Sequence, residues 1–175
     1  MTAPFTETTA AWPHRQASEA IKLYQEGMMA GTWGAATLSL WFLILDMLAG
    51  HPLFTPQVLG TALFKGGGGV VPPAQVELSL GIVIAFTALH WLAFEFLGAL
   101  ASLLLALAEH NSDLGFGVLL CFILATEGLM GGTMMVAEPV LQALAWQSVL
   151  VGHLFAAGVM GGYLWRRHAH MVIYP

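Results

Sequence analysis

The chain has 175 residues, of which 58% are hydrophobic and only 9% charged, with a mean hydropathy of +0.77. About a quarter of the residues in a soluble domain are charged, so this chain cannot cover a globule in water. Its ten acidic and five basic side chains give a net charge of −5 and no basic patch, which excludes a nucleic-acid binder along with an ordinary soluble enzyme and a disordered tail.

Residues 1–26 form the only long polar stretch and hold Glu7, Arg15, Glu19, Lys22 and Glu26. They lack the apolar run that a secretory signal requires. Between 18 and 24, Ile21, Leu23 and Tyr24 alternate with Glu19, Lys22 and Gln25, which predicts a short helix at the membrane surface. A loose terminus is the alternative. The first span is expected over 28–49, with Asp46 near its far end and Gly50-His51-Pro52 ending it. Thr55-Pro56-Gln57 then supplies a helix cap and a first-turn proline for a short surface or re-entrant helix. The run of glycines 66–69 with Pro72-Pro73 is loop chemistry. It lacks the Lys-Ser/Thr of a phosphate loop.

Further apolar runs predict spans over 77–108, 114–136 and 141–165. The polar turn Glu109-His110-Asn111 and the restart at Glu138-Pro139 separate them, and Arg166-Arg167 stops the last. The expected fold is therefore an all-α integral membrane protein. It is an up-down bundle of four transmembrane helices (27–167) with an N-terminal interfacial helix within 1–26 and a short tail, 168–175. Arg15 and Lys22 precede the first span and Arg166 and Arg167 follow the last. Both termini are therefore expected in the cytoplasm, with the bacterial inner (cytoplasmic) membrane as the location. The single cysteine, Cys121, cannot form an internal disulfide.

An ionisable side chain in hydrocarbon costs about 2.5–3.5 kcal/mol, so those within spans face protein or water. They are Asp46, His90, Glu95, Glu127 and His153. Counting from the polar borders places Glu95, Glu127 and His153 at one depth on three helices, roughly 20 Å from the cytoplasmic edge. His90 counts about a turn and a half higher. A carboxylate–histidine cluster could bind a metal, share a proton or fix helix register by hydrogen bonding. His90 and Glu95 are about 140° apart around their helix, which weakens a metal site using both. His153 lies among Gly152, Ala156, Ala157 and Gly158, with room for a flat macrocycle. His153 and His90 are thus candidate axial ligands for a haem b or a chlorophyll. The same small residues, notably Gly158-x-x-x-Gly162, equally suit close helix packing.

No nucleophile motif such as Gly-x-Ser-x-Gly occurs. The functional expectation is a non-catalytic small membrane subunit that packs against other membrane subunits or copies of itself. The alternatives are a tetrapyrrole-binding redox or photosynthetic subunit and a proton- or ion-conducting oligomer using Glu95 and Glu127.

Overall fold

A backbone in hydrocarbon must satisfy its own hydrogen bonds, so apolar runs of this length have to be helical. The computed structural model describes residues 12–65, 77–110 and 146–167. Among them the chain is helical without strands: α1 Trp12–Leu48, α2 Phe54–Lys65, α3 Leu80–His110 and α4 Trp146–Arg167. Among the described residues, three stretches are long and apolar enough to cross a membrane, Ile21–Leu48, Leu80–Leu107 and Gln147–Arg167. Helix α2 has 12 residues, about 18 Å against a core of about 30 Å, and cannot cross. The span expected over 114–136 lies outside the described residues, as does the glycine-proline loop.

The separate surface helix expected over 18–24 is instead the N-terminal part of α1, which runs unbroken for 37 residues. Pro13 falls in its first turn, where a missing N–H costs nothing. No further proline interrupts the segment before the span, so the helix continues. Ile21 and Tyr24 are both exposed on it.

Helix α1 is the hub. Helices α3 and α4 both pack along it, and α2 packs against α3 beside the far end of α1. The α1–α3 crossing is made by Gly27 and Gly31 on one side and Gly98 on the other, while Gly34 meets side chains of Met160 and Phe94. A Cβ placed on Gly31 would stand 2.6 Å from Glu95 Cα, and one on Gly98 2.6 Å from Gly31 N. These are backbone atoms, so the two helices touch main chain to main chain, as Gly-x-x-x-Gly packing allows. On the neighbouring face, a Cβ on Gly152 of α4 would meet Trp41 and Leu38. Ala35, Leu38, Phe94, Ala156 and Met160 form one buried cluster, and Ala30, Ala101 and Leu164 a second.

These contacts fix directions. Rising residue numbers on α1 meet falling numbers on both α3 and α4, so both run antiparallel to α1 and parallel to each other. The first residues of α1 and the last of α4 lie at the same end. By contrast, a Cβ on Gly158, Gly161 or Gly162 meets nothing within 4 Å among the described residues. The glycines that do close a described helix contact are those of α1, with Gly60, Gly98 and Gly152.

Because no rotamer change can make room between two backbones, Gly31→Ala and Gly98→Ala should each destabilise the bundle by about 1–3 kcal/mol. Gly81→Ala, whose new methyl would approach only Ser79 Oγ at 3.9 Å, should be neutral or slightly stabilising. Thermal melts of the three variants in one detergent test the contrast.

Candidate functional site

Among the described residues, two polar regions interrupt the apolar bundle. The first is at the end where α1 gives way to α2. Gly50 (φ 79°) and Leu53 (φ 67°) take left-handed backbone conformations that reverse the chain. With Leu53 preceding Phe54, α2 has no capping side chain of its own. Asp46 supplies one from the last turn of α1. Its carboxylate accepts the Thr55 N–H at 2.8 Å and the Thr55 hydroxyl at 2.7 Å. Thr55, expected from sequence to cap the helix, lies inside it and donates instead. Asp46 and Thr55 are 5% and 2% exposed, so the pair is sealed. At the turn itself, the His51 N–H donates to the Asp46 main-chain carbonyl at 2.9 Å.

Gln57 continues the network to α3. Its side-chain carbonyl accepts the Ser79 N–H at 2.9 Å, while its amide donates to Thr61 Oγ1 at 3.2 Å. Asp46 thus ties α1 to α2, and Gln57 ties α2 to the start of α3. Within the spans, the hydroxyls of Thr37, Thr87 and Ser102 donate to carbonyls three or four residues back on their own helices, which is how hydroxyls are accommodated in lipid. Trp41 Nε1 donates across helices to the Ser148 carbonyl at 2.9 Å, and its ring meets Phe155 at 5.4 Å.

The second region lies where α1, α3 and α4 meet. Phe94 on α3 shares a buried cluster with Ala156 and Met160 on α4. One turn back along these two parallel helices stand His90 and His153. His90 packs between Phe86 and Phe94, with ring centroids at 6.1 and 4.8 Å. Its Nε2 is buried and has no hydrogen-bond partner. The Ala35 backbone of α1 and the His153 ring both lie within electrostatic reach of His90, although neither completes a hydrogen bond to Nε2. His153 is oriented by its own helix, with Nδ1 2.8 Å from the Val149 carbonyl. An oxygen acceptor at Nδ1 places the proton there and leaves Nε2 with its lone pair.

Helix packing changes the depths counted from sequence. His90 stands level with His153, and Glu95 does not. Glu95 is set against Gly31 of α1, whereas His153 lies between the levels of Leu38 and Ala35, about 9 Å further along the axis. The count assumed that α3 and α4 end together. Ala101 already packs with Leu164 near the end of α4, so α3 overruns α4 by roughly a turn and a half. No hydrogen bond joins Glu95 to His153 among the described residues, and Glu127 lies outside them. Of the candidate ligands among the described residues, His90 and His153 stand at one level on the parallel helices α3 and α4.

Asp46→Ala should leave both buried donors of Thr55 unsatisfied and cost about 1–3 kcal/mol. Asp46→Asn, which keeps an acceptor, should cost less. Thermal melts, with amide exchange at Thr55 as the local reporter, distinguish the two. No protein-family model, curated protein or solved structure matches this chain, and its role must be argued from its own geometry.

Proposed function

We propose that this protein is a small multi-pass membrane subunit with a non-catalytic, structural role in a larger membrane assembly. The observation that carries this reading is the internal use of its polar groups. Asp46, Thr55, Gln57, Ser79, Thr61 and Trp41 bond one another or the backbone and join helices. The result is a braced scaffold that exposes large apolar side chains along its spans. On α3, Ile84, Leu92, Phe96 and Leu103 are all exposed, a surface suited to lipid and to the helices of other subunits or further copies.

Four spans remain the preferred count. Helices α3 and α4 run parallel, and a fourth span over the apolar run 114–136, which is long enough to cross as a helix, would join them. The charge bias of Lys22, Arg166 and Arg167 at the end shared by α1 and α4 supports a cytoplasmic placement of both termini and, with it, the bacterial inner membrane.

Two measurements test the proposal. In a Cys121→Ser background, single cysteines at Ser18 and Gly67 should respond oppositely to an impermeant maleimide in intact cells, with position 67 labelled and position 18 protected. The reverse pattern would overturn the orientation. Membranes dissolved directly into polymer nanodiscs should yield the tagged chain in particles containing further membrane chains in fixed stoichiometry. A chain recovered only as a monomer would contradict the structural role.

A further inference from the structure

Helix α2 is too short to cross the membrane, and its place relative to the border follows from the helices it touches. A Cβ on Gly31 would meet the Phe94 carbonyl and Glu95 Cα, and one on Gly27 would meet Ala99 Cα and Ser102 Oγ. Carried along straight antiparallel helices, that register sets Asp46 level with about residue 80 of α3, and Glu26 level with about residue 100. Between Glu26 and Asp46, α1 holds no charged residue. That stretch rises about 30 Å, the thickness of the hydrocarbon core. The border at which α1 ends therefore lies at the level of Asp46 and Leu80.

Helix α2 starts at this border and points inward. Asp46 holds Thr55 in its first turn, and Gln57 accepts the Ser79 N–H. Three residues on, a Cβ on Gly60 would stand 2.6 Å from Ile82 Cγ2 and 3.0 Å from Phe86 Cβ. Gly60 thus lies between the levels of Ile82 and Phe86, about 6 Å inside the border. Rising numbers on α2 meet rising numbers on α3, so the two helices descend together. Lys65 ends α2 roughly 10–13 Å inside, yet the chain is back at the border by Ser79. The surface of α2 points the same way. A helix lying in the interface turns polar side chains to water and apolar ones to lipid. On α2, Thr55 and Gln57 are buried, while Leu63 and Phe64 are exposed among the described residues.

We infer that α2 is a re-entrant half-helix, which enters the membrane beside α3, stops in the near half and carries Lys65 to that depth. Its inner end is a polar point inside the membrane. The last carbonyls of the helix and the Lys65 ammonium have to be met there by protein groups or by water. This arrangement is independent of the structural role, because it concerns one segment of the chain and not its partners.

The experiment measures depth in the full-length Cys121→Ser protein, reconstituted in phosphatidylcholine bilayers. Single cysteines carry a bimane fluorophore, and the quenchers are lipids with a nitroxide at a shallow or a deep acyl position. The ratio of deep to shallow quenching reports depth. Leu80→Cys, Ile84→Cys and Leu89→Cys, all at exposed positions of α3, form the ruler. Leu63→Cys and Phe64→Cys, also at exposed positions, report on α2, so either one serves if the other fails to fold. Both should give a ratio equal to or above that of Ile84→Cys, and clearly above that of Leu80→Cys. Ratios matching Leu80→Cys, on a ruler that separates the three α3 positions, would place α2 in the interface and overturn the inference.

Discussion

The main-chain contact between α1 and α3 positions the rest of the bundle. With Gly27 and Gly31 facing Gly98, the two helices meet backbone to backbone. Lipid gives apolar helices no hydrophobic reason to associate, so the contact rests on dispersion between closely fitted surfaces, which weakens sharply with a gap of even an ångström. This close approach sets the depth of α3 relative to α1, and hence the heights of His90 and Glu95. It also leaves the adjacent face of α1, from Ala30 through Gly34 and Leu38 to Trp41, to receive α4.

Around that contact, the polar chemistry follows one rule: no buried donor or acceptor should face hydrocarbon unpaired. Asp46 obeys it by capping α2 from the preceding helix, and Gln57 by binding the backbone at the start of α3. Trp41 is bonded to the Ser148 carbonyl, near the beginning of the described part of α4. Among the described residues, His90 Nε2 is the buried side-chain atom that lacks such a partner.

Much of the fold was legible because membrane insertion imposes strong patterns. Low charge and long apolar runs identified the class, and Thr55-Pro56-Gln57 after Gly50-His51-Pro52 marked the short helix. The packing faces were harder. Gly27-x-x-x-Gly31 and Gly158-x-x-x-Gly162 have the same spacing, and no one-dimensional pattern states which faces a neighbour. The first is buried on α3, and the second is open among the described residues. Depth counting placed Glu95 with His153 because it took each helix to end at the membrane border. The overrun of α3 past α4 moved His90 into that level instead. The Asp46–Thr55 bond spans a chain reversal built on two left-handed residues, one of them a leucine, and a leucine in that conformation leaves no compositional signal.

The central claim is that α1 and α3 cross in direct contact and antiparallel, with α4 closing the junction. Cysteines replacing Ala30 and Ala101, buried together with Leu164, test it most directly in a Cys121→Ser background. Mild oxidation in native membranes should form a disulfide within the chain, seen as altered mobility on a non-reducing gel. If both thiols stay reactive to a membrane-permeant maleimide, or link only between chains, the crossing is wrong.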